Sequence, residues 1–264
     1  YLELLRAYKD MDELIRNVFS PGSIFLYEGE NVLIQEFGSS WDTYFSILEV
    51  ISRGKFGPAP IANKLGMKVQ MLPKYLKTLK DLELIRRRRP IFGKPRHVRY
   101  VVNDPFFRFW FKTCYPRIGL FMDGRARLNV EEVRSVVGKG MEKVIMDLFF
   151  DTGSFPFEPD QVGSWWDRSG NEVDLLFYNE KKKMMGVGEI KWRSRKVGSR
   201  TVEDLLYKIA MIDWYNEKRV EIPFIVSKSG FTETAIDRME EHGVKGFSME
   251  DLRTAVLKKK ALDW

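Results

Sequence analysis

The spacing of hydrophobic residues in the first part of the chain is helical. Apolar residues between positions 2 and 18 recur among many charges, which predicts an amphipathic helix that ends before Pro21 and Gly22. A second helical or mixed segment is expected over residues 31–37. From Trp41 onward the helical spacing is sharper, since four residues fall on one face: Tyr44, Ile47, Leu48 and Ile51.

Two more helices and a basic hairpin are expected after that helix. A short helix starts at Pro58, and a third helix starts near Val69. The third helix is expected to bury Leu72, Tyr75, Leu76, Leu79 and Leu82. Two β-like runs follow over residues 84–89 and 98–103, joined by a loop with two prolines and a glycine. Three short helices followed by a basic hairpin predict a winged helix.

An aromatic stretch over residues 106–111 follows Asp104 and Pro105, and its spacing predicts a buried helix that bridges two domains. Residues 115–130 are expected to be a connector, with the domain boundary nearby. Beyond it, a helix over residues 138–150 carries Glu142 at the edge of its apolar stripe. That stripe consists of Met141, Val144, Ile145, Leu148 and Phe149.

Apolar and polar residues alternate over residues 172–178 and 185–192, which predicts a β-hairpin that turns at Lys181–Lys183. In the first strand Val173, Leu175 and Phe177 are expected on one face, opposite Glu172, Asp174 and Leu176. A helix is expected after the hairpin, with an apolar stripe formed by Val202, Leu205, Leu206, Ile209 and Ile212.

The hairpin is expected to bring together two carboxylates and an ammonium. Glu189 and Lys191 are two residues apart on one strand, so they share a face and stand roughly 7 Å apart along it. Asp174 lies nearly opposite Glu189. Burying these charges unpaired would cost several kcal/mol each. A Mg²⁺ or Mn²⁺ ion held by Asp174, Glu189 and the Ile190 carbonyl would offset that cost, with Lys191 orienting or deprotonating the attacking water. The alternative is a structural salt-bridge cluster.

The cysteine and histidine content limits the kinds of metal site that the chain can form. The single cysteine, Cys114, excludes an internal disulfide, and the two histidines, His97 and His242, are too far apart for a His-rich metal site. Any metal must therefore bind carboxylates, which favours a hard cation. No apolar run approaches the ~18 residues that span a bilayer, and no secretory signal is visible, so we expect a cytoplasmic chain without membrane association.

The charge distribution predicts nucleic-acid binding. The net charge is +7, and two segments hold much of it: residues 84–103 carry seven Lys/Arg and no acid, and residues 181–200 carry eight and one acid. The third helix and the hairpin fit a major groove and its flanking phosphates. Their candidate DNA-binding residues are Lys74, Lys77, Arg86, Arg87, Arg88, Arg89, Lys94 and Arg96.

The order of these elements resembles the PD-(D/E)-x-K nuclease superfamily: a helix with Glu142, a strand with Asp174, a strand with Glu189 and Lys191, and then a helix. More specifically, the chain resembles the C-terminal region of the archaeal and bacterial P-loop ATPase family whose members carry a winged helix and a domain of unknown function. The resemblance rests on residues 44–48, 104–111, 165–167, 172–174 and 188–192. It implies an α/β, restriction-endonuclease-like domain with a mixed sheet flanked by helices. Glu142, Asp174, Glu189 and Lys191 would be its catalytic residues, with Glu142 an outer ligand acting through water.

The expected organisation is a helical remnant of an ATPase lid over residues 1–40, a winged-helix domain with its bridging helix over 41–114, and the nuclease-like domain over 115–264. The expected function is binding of double-stranded or branched DNA with Mg²⁺-dependent phosphodiester hydrolysis. In the full-length protein this activity would be coupled to an N-terminal ATPase domain, since this chain has no phosphate-cradling loop of its own. Two alternatives stay open: a non-catalytic module that docks DNA or a protein through a degenerate nuclease fold, and a transcription regulator in which only the winged helix acts.

Overall fold

A computed structural model describes residues 9–54, 56–92, 97–257 and 262. The chain divides into two compact units. The first unit comprises residues 1–88 and 98–136, and the second comprises residues 89–97 and 137–264. The loop between the two strands of the predicted hairpin therefore belongs to the second unit.

The first unit consists of helices and one β-hairpin. Its helices are α1 (Met11–Asn17), α2 (Ile24–Phe37), α3 (Trp41–Ser52), α4 (Pro58–Lys64), α5 (Leu72–Asp81), α6 (Pro105–Phe109) and α7 (Ile118–Met122). Short 3₁₀ turns occupy Gly38–Ser40, Val69–Met71 and Tyr115–Arg117. The hairpin pairs β1 (Ile85–Arg88) with β2 (Arg99–Val102) in antiparallel register.

Several boundaries in this unit differ from the sequence expectation for local reasons. Residues 1–8 of the first predicted helix lie outside the described residues. Helix α2 begins seven residues before the predicted position 31, because the Ser23 hydroxyl accepts a hydrogen bond from the Phe25 backbone N–H at 3.3 Å and caps it. The expected connector contains α7, whose Phe121 is fully buried. Leu82 is 40% exposed, because it caps α5 and lies past its buried stripe.

The aromatic stretch forms α6 and a π-helical turn, Trp110–Cys114. Trp110 is fully buried, and its indole Nε1 donates a hydrogen bond to the Phe25 carbonyl oxygen at 3.1 Å. Phe45 on α3 packs edge-on against Trp110 and Phe111. Phe107, Trp110 and Phe111 are buried as expected, and Phe106 and Phe109 are partly buried. The stretch expected to bridge two domains lies within the first unit.

The second unit is a five-stranded mixed sheet with helices on both faces. Its strands are β3 (Gln161–Trp166), β4 (Glu172–Asn179), β5 (Met184–Lys191), β6 (Val220–Ser227) and β7 (Lys245–Ser248), and they lie side by side in chain order. β3, β4 and β5 pair antiparallel, whereas β5, β6 and β7 run parallel. Its helices are α8 (Val130–Thr152), which enters the unit at residue 137, α9 (Ser199–Ala210), α10 (Glu233–Glu241) and α11 (Met249–Leu257).

Each face of this sheet has its own apolar core. One core joins β4 and β5 to α9 through Leu176, Val187 and Leu205. The other joins them to α8 through Phe177, Ile190 and Phe149. In the stripe predicted for α8, Ile145 and Phe149 are buried, but Val144 is 53% exposed. The stripe is therefore narrower than the sequence pattern indicated.

At two glycines of β5, an aromatic ring fills the space that a side chain would need. A Cβ at Gly186 would overlap the ring of Phe177, and a Cβ at Gly188 would overlap the ring of Phe224. Both rings are fully buried on the α8 face of the sheet. The strand that carries Glu189 thus packs directly against two phenylalanine rings at these positions.

No helix in the described part of the chain combines the length and the apolar character that crossing a bilayer requires.

Candidate functional site

The candidate site lies where β4 begins and β5 ends. The two strands pair antiparallel, with Leu175 opposite Gly188 and Leu176 opposite Val187. Extending this register by one step places Asp174 opposite Glu189. Lys191 is the last residue of β5, so the site is at the carboxyl end of the parallel part of the sheet. That edge is where ligands bind in open α/β sheets.

Asp174 lies in an irregularity of β4. Gly163 on β3 pairs with Leu176, but Trp165 pairs with Val173, so two residues of β4 face Ser164 alone. A β-bulge of this kind re-aims the side chains of the bulged strand. The predicted alternation is consequently wrong at this point: Val173 packs with Leu176 on the α9 face, whereas Leu175 and Phe177 pack on the α8 face.

Hydrogen bonds fix the orientation of Asp174. Its carboxylate oxygen Oδ2 accepts a hydrogen bond from the backbone N–H of Ile190 at 2.9 Å. Its backbone carbonyl oxygen accepts one from the Ser164 hydroxyl at 2.7 Å. The aspartate is therefore linked to both neighbouring strands, and the carboxylate lies against the backbone of β5.

The backbone N–H and C=O groups of Ile190 both point toward β4. The carbonyl oxygen of Lys191 accepts a hydrogen bond from the Lys228 N–H, which follows β6, at 3.1 Å. Successive residues of an extended strand direct their backbone groups to opposite sides, and one residue's N–H and C=O share a side. The Ile190 carbonyl oxygen therefore points toward β4, the side on which its N–H meets Asp174.

Glu189 is the most deeply buried charged group of the site. Its residue is 3% exposed. Its carboxylate oxygen Oε2 accepts a hydrogen bond from the Lys191 ammonium at 2.5 Å, and Oε1 accepts one from the Lys208 ammonium on α9. Burial alone would raise the pKa of Glu189, but the ammonium groups of Lys191 and Lys208 outweigh burial and hold that pKa below its usual value. The carboxylate is charged and paired on both oxygens.

Lys208 is a member of the site that the sequence analysis missed. Its signal was present: Lys208 is three residues after Leu205 and directly before Ile209, so a lysine borders the buried stripe of α9. The case for a metal rested on charges that nothing in the hairpin could offset. Because Lys208 supplies a second positive charge, the described carboxylates of the cluster, Asp174 and Glu189, are matched in number by ammonium groups.

Glu142 is part of α8, but its side chain lies outside the described residues. The helix itself closely approaches the end of β5, since a Cβ at Gly138 would lie 2.8 Å from the backbone carbonyl oxygen of Trp192. Among the described residues, no group of three or more His, Cys, Asp or Glu side chains has the arrangement of a metal site. The described carboxylates of the site are Asp174 and Glu189.

The candidate DNA-binding residues lie on two elements of the first unit and on the loop that follows. Lys74 and Lys77 are exposed on α5, where Lys77 pairs with Asp81 at 2.7 Å. Arg86 and Arg87 are exposed on β1, and Arg88 is half-exposed. Arg89 is exposed at the start of the loop of the second unit, and Lys94 and Arg96 lie outside the described residues.

That loop is part of the packing of the second unit. Ile91 is buried, and its backbone N–H donates to the Ser164 carbonyl oxygen at 2.9 Å. The ring of Phe92 stacks on Trp214 with 5.1 Å between centroids. The Trp166 indole Nε1 donates to the carbonyl oxygen of His97 at 3.1 Å. At Ile91 and Phe92 the loop thus packs against Ser164 and Trp214 of the second unit.

Residues 110–203 match DUF234, a family described as archaeal and bacterial proteins of unknown function. The matched range contains Asp174, Glu189 and Lys191 and ends before Lys208. A curated relative, an uncharacterised protein of Methanocaldococcus jannaschii, is 31% identical over 194 residues. Those residues are 70% of this chain and 43% of the relative, so the chain matches less than half of the relative's length.

Three solved structures show a distant likeness. A repair endonuclease from Pyrococcus abyssi is 18% identical, with a TM-score of 0.31, over 41% of this chain and 46% of that one. A protein from Vibrio cholerae is 12% identical, with a TM-score of 0.29, over 92% and 59%. NadR in complex with 4-hydroxyphenylacetate is 18% identical, with a TM-score of 0.25, over 48% and 86%. At these TM-scores the three structures do not determine the fold or the function of this chain.

Proposed function

We propose that the second unit is a divalent-metal-dependent nuclease that hydrolyses phosphodiesters of double-stranded or branched DNA. The observation that carries the proposal is the meeting of Asp174, Glu189 and Lys191 at the ends of two adjacent strands. Two carboxylates can hold a divalent cation, and a nearby ammonium can stabilise the charge that develops on a phosphodiester, so the three groups suit metal-assisted hydrolysis.

The donor atoms fit Mg²⁺ or Mn²⁺. The Asp174 carboxylate, the Ile190 carbonyl and the Glu189 carboxylate are all oxygen donors, which these cations prefer. Mg²⁺ is commonly held by one or two carboxylates, with water and substrate phosphates completing its coordination, so the two described carboxylates suffice. Such an ion would polarise the phosphodiester and lower the pKa of a bound water.

Lys191 has the proposed catalytic role among the residues of the chain. Its ammonium is held by Glu189, and its side chain is 28% exposed, so it can reach a substrate from the buried site. There its ammonium would orient the attacking water and stabilise the negative charge that develops on the phosphorane. Glu142 is proposed as an outer ligand that acts through water.

The DNA-binding part of the proposal rests on exposed cations. Lys74, Lys77 and Arg86–Arg89 would contact phosphates, in the manner of a winged helix and its hairpin. The loop that leaves β5 is also basic, with exposed Arg193, Arg195 and Lys196 directly after the site. In the longer polypeptide we propose an N-terminal P-loop ATPase domain as the coupled partner.

One observation favours a second candidate, a non-catalytic module that docks DNA or a protein. Both oxygens of Glu189 already bind an ammonium, and these two lysines match the charges of the two described carboxylates without a metal ion. A degenerate nuclease fold that has replaced its metal by a lysine would have this arrangement.

A cleavage assay with Lys191→Ala separates the two candidates. Supercoiled and branched DNA would be incubated with the full chain in Mn²⁺ or Mg²⁺, and DNA binding would be measured in EDTA. We expect the substitution to reduce cleavage by roughly 10²-fold or more and to leave binding nearly unchanged. Lys181→Ala, at the exposed turn of the same two strands, is the matched control.

Equal cleavage by wild type and Lys191→Ala would show that the nuclease activity is not at this site. DNA binding by the wild type without any metal-dependent cleavage would establish the docking module instead.

A further inference from the structure

Glu189 has two ammonium partners that come from different elements of the second unit. Lys191 comes from the same strand and binds Oε2, whereas Lys208 comes from α9 and binds Oε1. The Glu189 side chain is 4% exposed, and those of Lys191 and Lys208 are 28% and 21% exposed. The carboxylate is thus enclosed, and each lysine has a route to water.

A divalent cation and two ammonium groups repel one another at this carboxylate. Among the described side chains of the site, Asp174 and Glu189 contribute two negative charges, and Lys191 and Lys208 contribute two positive charges. Adding a divalent ion would place three cationic groups around one buried carboxylate, which is unfavourable. A cation that binds Glu189 would also share a carboxylate oxygen with an ammonium group, since each oxygen of Glu189 already accepts a hydrogen bond from one.

Lys208 is the ammonium best placed to leave. Lys191 is the proposed catalytic residue, so its ammonium is needed beside Glu189 when the metal is bound. Lys208 reaches the site from the last turn of α9 through a four-carbon stem that can rotate into water. Its departure would free Oε1 and remove one positive charge, while Leu205 and Ile209 keep the helix packed on the sheet.

We propose that Lys208 stands in for the metal: it holds Glu189 when no divalent cation is bound and must leave Oε1 when one binds. The inference rests on the proposed metal site and adds a means of regulation to it. Metal affinity is then set by competition with an internal ammonium. Any contact that draws Lys208 away from Glu189, such as a nearby phosphate group of DNA, would promote metal loading.

The test is a Mn²⁺ titration of the full chain, followed by electron paramagnetic resonance of free Mn²⁺ and by thermal melts. Lys208→Gln removes the charge with little change in length. We expect it to raise Mn²⁺ affinity by about 5–150-fold, the usual size of a coupling between two ligands. Without metal this variant should melt below the wild type, and saturating Mn²⁺ should reduce or reverse that difference.

Lys208→Arg tests the same idea in the opposite direction and keeps the charge that the fold uses. A guanidinium can bind a carboxylate through two hydrogen bonds, so Mn²⁺ affinity should fall several-fold. Lys218→Gln, at an exposed position outside the site, should bind Mn²⁺ as the wild type does.

The outcomes are distinguishable. If wild type and Lys208→Gln bind Mn²⁺ equally, the competition is refuted and the metal site stands. If neither binds Mn²⁺, the metal site fails and the inference fails with it. Binding by Lys208→Gln alone, or tighter binding by it, supports the inference, and tighter binding by Lys208→Arg contradicts it.

Discussion

The two ends of the β4–β5 pair carry similar residues in opposite surroundings. At one end, buried Glu189 is bound by the ammonium groups of Lys191 and Lys208. At the other end, exposed Glu180 accepts hydrogen bonds from the Trp214 indole at 3.2 Å and the Tyr215 hydroxyl at 2.9 Å. The two acids therefore differ in burial and in their partners, which are ammonium groups at the buried end and an indole and a phenol at the exposed end. Because the ion pairs of Glu189 are shielded from water, removing that acid should cost more stability than removing Glu180.

The largest expected effect is on stability. Glu189→Ala would leave two ammonium groups facing an emptied pocket, and breaking a buried ion pair typically costs about 3–5 kcal/mol. Because Lys191 and Lys208 can turn toward water, we expect the lower end of that range. Glu180→Ala should have a much smaller effect, because its partners are already in contact with solvent. Urea denaturation of both variants measures the difference.

Equal destabilisation by Glu189→Ala and Glu180→Ala would show that burial does not distinguish the two ends. Burial of the Glu189 ion pairs would then have no measurable effect on the free energy of unfolding.

Low pH should remove the stability that the ion pairs of buried Glu189 contribute. The pKa of Glu189 is below its usual value in the folded state, so its ion pairs stabilise the fold fully above the ordinary glutamate pKa of about 4.3. That contribution is lost as the pH falls through the lower, folded-state pKa. The melting temperature of wild type should therefore exceed that of Glu189→Gln by a constant amount from pH 8 to about pH 5. The gap should narrow below about pH 4.

A gap that already narrows near neutral pH would contradict the lowered pKa of Glu189. Glu180→Gln, measured alongside, is the control for general acid effects.

The smallest expected effect is at the exposed end and at high pH. The hydrogen bond to Glu180 and the negative charge of Glu180 raise the pKa of Tyr215. A raised pKa favours the protonated phenol in the fold, so its stabilisation is present below the ordinary tyrosine pKa of about 10 and is lost as the pH rises through the folded value. Ultraviolet titration of phenolate should show one group shifting to lower pH in Glu180→Gln. Tyr215→Phe removes that group from the titration and identifies it.

The fold was predictable where the apolar pattern had a single interpretation. Tyr44, Ile47, Leu48 and Ile51 define one helical face, and α3 forms there with Ile47, Leu48 and Ile51 buried. In the second unit the residue patterns predicted the β4–β5 hairpin and the helices on either side of it, whereas the mixed sheet was expected only from the family resemblance. The pattern failed at Val144, because apolar residues along a helix do not reveal how wide the buried face is.

The site was predictable only as far as it is local in sequence. Glu189 and Lys191 share a strand, and the hairpin places Asp174 opposite, so their meeting follows from strand geometry. The bulge at Asp174 did not follow, because it depends on the register with β3. Lys208 was missed for the same reason: 19 residues separate it from Glu189, and helix packing alone brings them together. The roles of these residues stay predictions.

The two glycines of β5 have a consequence for how the motif Gly186-Val187-Gly188-Glu189 should be compared among relatives. Glycines directly before a candidate acid invite a substrate-based explanation, in which a phosphate needs close access to the backbone. Here each glycine instead accommodates a ring, Phe177 over Gly186 and Phe224 over Gly188. Each glycine and its phenylalanine therefore form one packing unit. A relative that has a larger residue at either glycine and a smaller one at the matching ring would preserve the strand, so loss of the glycine alone says nothing about loss of activity.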